Sequence, residues 1–150
     1  MKINYFKDEK LRENHVDIFY NQKDRELEDL MEYLDSEGAL YGKCEGEGRR
    51  LYLNEIYYVE VVERRCFAYM KEEVYEVETN LKGFLDRYAG YGFVQIGKST
   101  AVNMRRIEKI VPDINMKMHL MMENGEKLVV NRAYKKEFMD YLKQKKEVQA

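Results

Sequence analysis

The 150-residue sequence contains no tryptophan, one proline, two histidines and two cysteines. Cys44 and Cys66 do not form a C-x-x-C pair, and the few histidines do not complete a local zinc site with them. We therefore expect neither a disulfide scaffold nor a metal centre. Both thiols are predicted to be reduced, and no cofactor is expected.

Long hydrophobic runs are also missing. No window approaches the ~18 apolar residues that a membrane-spanning helix needs, and the first residues, "MKINYFKDEK", lack the apolar run of a signal peptide. We expect a cytoplasmic protein. Its 45% apolar content is enough for the core of one domain with a short extension.

An excess of positive charge is absent as well. The formal charge is −2, which argues against a surface that is basic all over. The charge is uneven, however: residues 98–150 carry 12 Lys or Arg and 7 Asp or Glu, whereas residues 1–97 carry 14 and 21. This asymmetry suggests that the second half meets an anion.

The first 44 residues predict a small β-β-α extension. Residues 2–6 and 15–20 have the character of short strands, and a helix follows them. In this helix the apolar residues recur at helical spacing and Gly38 is the expected stop; they are Leu27, Leu30, Met31 and Leu34.

The rest of the chain predicts a mainly β domain of antiparallel sheets over residues 45–145, with a frayed tail at 146–150. Strand signals occur in "RLYLN", "IYYVEVV", "CFAYMK", "VYEVET", "FVQIG", "RRIEKIV", "MKMHLMM" and "KLVV". Asn80 or Thr79 is expected to cap a short inserted helix, "LKGFLDRYAG". Asn124-Gly125 predicts a hairpin, and "AYKKEFMDYLKQKK" predicts a C-terminal helix.

The stretch "GFVQIGKS", residues 92–99, matches the phosphate-loop pattern G-x-x-x-x-G-K-[ST]. A phosphate loop needs a strand before its first glycine and a helix opening at Lys-Ser. Here a predicted helix precedes Gly92, and Phe-Val-Gln-Ile favours a strand. We therefore interpret the match as accidental and expect no nucleotide or other small-molecule substrate.

Three blocks, in order, resemble the LytTR family of bacterial transcription regulators. "IYYVEVVERRCFAYM" is similar to the family's opening strand, with Glu60 as its glutamate. "NLKGFLDRYAGYGFVQIGKSTAVNMRRIEKIVPD" resembles its helix, strand and Ser-x-x-Val-Asn element. "MHLMMENGEKLVVNRAYKKEFMDYL" resembles its closing hairpin and last helix, with Asn131 where serine is usual.

The resemblance implies a non-enzymatic protein that binds double-stranded DNA through loops entering successive major grooves. By the same resemblance, the residues expected to recognise DNA bases are those of the loop from Glu63 to Cys66, together with Lys98 and Arg132. An arginine fork at a hairpin-to-helix junction suits guanine, and donors on short turns suit phosphate. The predicted DNA-binding residues are Arg64, Arg65, Cys66, Lys98, Ser99, Asn131, Arg132 and Lys135. Asn103 is expected to be structural.

The resemblance also bears on partners. Residues 1–44 are too few for a receiver domain, so we expect control through abundance or through a membrane or sensor protein. The apolar helical face predicts that residues 1–44 pair two protomers in a homodimer, or pack on the DNA-binding domain. Two alternatives stay open: a β-rich protein-interaction module that does not bind DNA, and a nucleotide-binding enzyme.

Overall fold

A computed structural model describes residues 1–36 and 39–149 of the chain. These residues form three helices, α1 (Arg25–Ser36), α2 (Leu81–Tyr88) and α3 (Lys135–Gln149). The strands in the same part of the chain are β1 (Ala39–Cys44), β2 (Glu47–Tyr52), β3 (Tyr58–Val62), β4 (Arg65–Tyr69), β5 (Val74–Val77), β6 (Phe93–Gly97), β7 (Thr100–Asn103), β8 (Ile107–Pro112), β9 (Met118–Met122) and β10 (Lys127–Val130). The predicted mainly β fold with a short inserted helix and a C-terminal helix is confirmed.

The chain divides into two units, Met1–Glu37 and Gly38–Ala150. In the first unit the Asp24 side chain accepts a hydrogen bond from the Leu27 backbone N–H at 2.9 Å, and the predicted helix α1 follows. The helix stop predicted at Gly38 lies outside the described residues.

The strands predicted at residues 2–6 and 15–20 are wrong for this structure, because residues 1–24 contain no strand. A strand needs a neighbour for its backbone N–H and C=O groups, and neither segment has one here. Residues 39–44, grouped with the extension in the prediction, form β1 and pair with β2 and β5.

The second unit contains two antiparallel sheets. The larger has the strand order β2-β1-β5-β4-β3-β7-β6, and the smaller has the order β10-β9-β8. The predicted hairpin at Asn124-Gly125 joins β9 to β10, with Gly125 at φ +88°, where a side chain would be strained. The helix α3 is longer than expected and extends to Gln149, into the segment predicted to fray.

Two hydrophobic clusters hold this unit together. One packs α2 against the large sheet, with Phe84 at its centre; the Asn80 side chain caps α2 by accepting from the Gly83 N–H at 2.6 Å. The other lies between the small sheet, β6 and α3, and contains Phe138, Leu120 and Ile96. Between them, the two clusters contain residues of the strands that flank the turns at residues 63–64, 98–99 and 131–132. These turns contain most of the predicted site residues.

No helix in the described residues combines the length and the apolar character needed to cross a membrane.

Candidate nucleic-acid interface

The turn between β3 and β4 is a tight hairpin whose two central residues have positive φ. Glu63 is at φ +51° and Arg64 at φ +66°, the combination that a two-residue type I′ turn requires. Left-handed backbone is unfavourable for residues with a Cβ. Two charged, exposed side chains thus occupy positions where Asn-Gly would adopt the same backbone angles with less strain.

Arg65, at the start of β4, already has partners within the protein. Its guanidinium makes two hydrogen bonds to the Glu76 carboxylate, at 3.0 and 2.6 Å, and lies over the Phe67 ring. The hydrogen bond from Arg65 lowers the pKa of the Glu76 carboxyl. A DNA phosphate would have to compete with Glu76 for this arginine.

Cys66 is the predicted contact residue that the structure does not support. It is 2% exposed, and burial raises the pKa of its thiol to about 11. Since side chains alternate along a strand, placing Arg65 outward turns Cys66 into the core. A side chain buried to this degree is not available for contact with DNA.

The turn between β6 and β7 contains Lys98 and Ser99, both exposed. The Ser99 carbonyl accepts a hydrogen bond from the Val61 N–H at 2.8 Å, which holds this turn beside the end of β3. The stretch "GFVQIGKS" is thus a strand followed by a hairpin turn. The structural context on which the phosphate loop was rejected is confirmed.

The junction between β10 and α3 contains Asn131 and Arg132. The Asn131 N–H donates to the Ile96 carbonyl at 2.7 Å, and its side chain accepts from the Ala133 N–H at 3.1 Å. The second bond caps a 3-10 turn, Arg132–Tyr134, that leads into α3. This local geometry leaves the Arg132 side chain exposed.

Backbone hydrogen bonds thus connect three turns that are far apart in sequence. Residues 63–64 and 98–99 are linked through β3 and Ser99, and residues 98–99 and 131–132 are linked through β6 and Asn131. We call these three turns together the three-turn edge. It brings together the exposed residues Arg64, Lys98, Ser99, Asn131 and Arg132, which offer hydrogen-bond donors and positive charge.

Lys135 follows Arg132 in the sequence by one helical turn and is half-exposed. Its ammonium donates a hydrogen bond to the Met116 carbonyl at 3.2 Å, in the loop between β8 and β9. Sequence reasoning missed this loop, because it assigned Met116 and Lys117 to the strand that in the structure begins at Met118. Asp113-x-Asn115 is the signal that could have found it, since Asp side chains commonly bond to backbone N–H groups two residues on.

Asn103 has the structural role expected for it. It is 1% exposed, donates to the Ile56 carbonyl at 2.9 Å and accepts from the Arg105 N–H at 3.0 Å. These bonds connect the end of β7 to the chain entering β3.

A model of the LytTr DNA-binding domain matches residues 48–143. The chain is 31% identical over 96 residues to sensory transduction protein LytT of Enterococcus faecalis, covering 62% of this chain and 40% of that protein. It is 38% identical over 72 residues to sensory transduction protein LytR of Streptococcus mutans, covering 48% of this chain and 30% of the relative.

Transcriptional regulatory protein YpdB of Escherichia coli K12 is 30% identical over 87 residues, which cover 57% of this chain and 36% of YpdB. The chain therefore spans less than half the length of these curated relatives. Among solved structures, the LytTr DNA-binding domain of a putative methyl-accepting/DNA response regulator from Bacillus cereus superposes with a TM-score of 0.66 at 22% identity, over 70% of this chain and 96% of that one. This likeness supports the fold.

Proposed function

The chain belongs to the LytTR family of DNA-binding domains, and on this basis we propose that it binds double-stranded DNA sequence-specifically and regulates transcription. The observation that carries the proposal is the three-turn edge, where backbone hydrogen bonds hold three turns with exposed cationic and polar side chains next to one another. The proposal involves no catalytic step. It places the protein in the cytoplasm, where the chromosome is.

The three turns suit different parts of a DNA duplex. We propose that Arg64 and Arg132 enter two major grooves about one helical turn, ~34 Å, apart, where an arginine fork recognises guanine O6 and N7. Lys98 and Ser99 lie over the minor groove between them and contact phosphate. Arg65 joins the interface only where a phosphate displaces Glu76.

The test is selection of binding sites from a random duplex library with the full chain, followed by fluorescence anisotropy on the selected site and a scrambled one. We expect an enriched motif, tighter binding to it than to the scrambled duplex, and an affinity that falls as salt rises. Selection of no motif, with equally weak binding to both duplexes, would contradict the proposal. That outcome would favour a protein-interaction module.

We also propose that the protein acts as a homodimer and that residues 1–44 pair the protomers. Large side chains of this region are exposed: Tyr5 and Phe6 are each 89% exposed, Phe19 is 92% and Val16 is 74%. Residues 1–24 carry five Lys or Arg and five Asp or Glu, so two copies would not repel each other. Exposed apolar surface of this kind marks interaction sites.

Sedimentation of the full chain tests this, with Phe19→Asp as the variant and Val74→Asp, an exposed position in the sheet, as the control. We expect the wild type and the control to form dimers at tens of micromolar and Phe19→Asp to shift towards monomer. A wild-type monomer at that concentration would overturn the dimer.

Control by a membrane or sensor protein stays a prediction. Its test is whether a membrane protein encoded beside this gene changes output from the selected site while the abundance of the regulator is constant. An output that follows abundance alone would argue against such a partner.

A further inference from the structure

The loop between β8 and β9, residues 113–117, exposes two large apolar side chains at its tip. Ile114 is 101% exposed and Met116 is 70% exposed. Single exposed apolar residues are common on protein surfaces, whereas two large ones at the tip of one loop form an apolar surface of the kind that marks interaction sites.

The loop has a defined turn structure held by Asp113. One carboxylate oxygen accepts hydrogen bonds from the N–H groups of Asn115 and Lys117, each at 2.9 Å, and the other bonds to His119 Nε2 at 2.8 Å. The backbone closes the turn with Asp113 N–H to the Lys117 carbonyl at 2.9 Å. Met116 is held at φ +62°, which is costly for a residue with a side chain.

The loop leaves the small sheet at the same row of residues as the β10–α3 junction. Pro112 pairs with Met118, and Met118 pairs with Val130. Residue 113 and residue 131 therefore follow from neighbouring positions at one end of the sheet. The hydrogen bond from Lys135 to the Met116 carbonyl, 3.2 Å long, ties the loop directly to the helix that follows Arg132.

We propose that residues 113–117 form a fourth DNA-contacting turn, in which Ile114 and Met116 pack against thymine 5-methyl groups in the major groove that Arg132 enters. The inference rests on the proposed DNA binding and assigns to it a second means of reading sequence. Arginine reads guanine by hydrogen bonds, whereas apolar side chains read the methyl group of thymine. Asp113 and Lys135 act as positioning residues that hold the tip.

Charge favours DNA as the occupant of this tip. Lys117 is exposed within the loop, and Arg132 and Lys135 lie on the adjoining junction. An apolar tip with cations around it matches a base methyl surrounded by phosphates. A protein partner remains one outcome of the test.

The experiment uses the site selected by the full chain and replaces each thymine singly by uracil, which removes only the 5-methyl group. We expect wild-type affinity to fall about three- to fivefold at one or two thymines beside the guanine that Arg132 reads, as loss of a buried methyl predicts. The double variant Ile114→Ala with Met116→Ala should bind the thymine site more weakly and no longer distinguish thymine from uracil.

Val74→Ala, which shortens an exposed apolar side chain in β5, is the matched control and should keep the wild-type response to uracil. Asp113→Asn should weaken discrimination between thymine and uracil, with a single cooperative melting transition at neutral pH as the check on folding. The proposed contact between residues 113–117 and DNA would be wrong if uracil had no effect at any position, or if the double variant distinguished thymine from uracil as well as the wild type does. Either result would leave the proposed function unaffected. Failure of the wild type to select any site would remove both.

A double variant that binds both duplexes like the wild type but loses transcription from the selected site would also overturn this inference. It would assign the tip to a protein partner.

Discussion

Residues 15–20 and strand β4 are both rich in residues that favour strands but have different structures. In β4, Cys66 and Ala68 are buried, and the strand pairs with β3 on one side and β5 on the other. In the first segment, Val16 and Ile18 alternate with polar residues, as in a strand with one buried face, yet both are exposed and no strand forms. Residues that favour a strand therefore permit one, whereas neighbouring strands and a core produce it.

The largest expected effect tests this difference with matched phenylalanine substitutions. Phe84 is 1% exposed in the core of the sheet unit, and Phe6 is 89% exposed. Phe84→Ala should lower the free energy of unfolding by about 3–5 kcal/mol through loss of burial and creation of a cavity. Phe6→Ala should change it by less than about 0.5 kcal/mol.

Urea unfolding at low protein concentration, where self-association contributes little, provides the measurement. Similar losses for both variants would mean that residues 1–24 fold cooperatively with a core of their own.

The next largest effect is expected on DNA affinity, and it compares substitution of one arginine in the second unit with substitution of one in the N-terminal unit. Arg132→Ala should weaken the selected site by ~1–3 kcal/mol and scrambled DNA much less, because in the proposed interface its guanidinium hydrogen-bonds to a base. Arg12→Ala, in the N-terminal unit, should leave the difference between the two duplexes unchanged. Fluorescence anisotropy on both duplexes separates the cases, and equal losses on both for Arg132→Ala would show that this residue positions the domain without reading sequence.

A smaller effect is expected at the strained β3–β4 turn. Arg64→Gly relieves a residue at φ +66° and should raise the free energy of unfolding by up to about 1 kcal/mol. Asn14→Gly, in the segment without strands, should give no gain. The same Arg64→Gly protein should bind the selected site more weakly; greater stability without loss of affinity would remove Arg64 from the interface.

The smallest effect compares two Asp–His pairs. Asp113 and His119 are 2.8 Å apart and partly buried, whereas Asp17 and His15 are 3.6 Å apart and exposed. The hydrogen bond from His119 lowers the pKa of Asp113, with backbone N–H groups of Lys117 and Asn115 adding to it. Because the folded pKa lies below the unfolded one, this stabilisation is present above the ordinary aspartate pKa of about 3.9 and is lost as pH falls through the folded value.

Asp113→Asn should therefore flatten the acid limb of a plot of melting temperature against pH, and Asp17→Asn should not. Thermal melts between about pH 2 and pH 6, which bracket that ordinary value, make the comparison. An acid limb unchanged in Asp113→Asn would show that the loop is held by other bonds.

Local sequence signals account for much of the fold. Strand patterns located β2 to β6 and β8 to β10 but missed β1 and β7. Asn124-Gly125 located a hairpin, and a polar residue before Leu81 located the cap of α2, since each of these signals depends on residues close together in the chain. The family resemblance located Arg64, Lys98 and Arg132 on three separate blocks.

The sequence by itself thus determined most strands of the second unit, the hairpin at Asn124-Gly125 and the family. Tertiary structure alone decided that Arg65 is bound by Glu76, that Cys66 is buried and that residues 2–6 and 15–20 form no strands. It also decided that the loop at residues 113–117 is joined to Lys135, in the helix that follows Arg132. The physical reason is that local propensity involves a few neighbouring residues. Strand pairing, burial and side-chain partners depend instead on segments that only folding brings together.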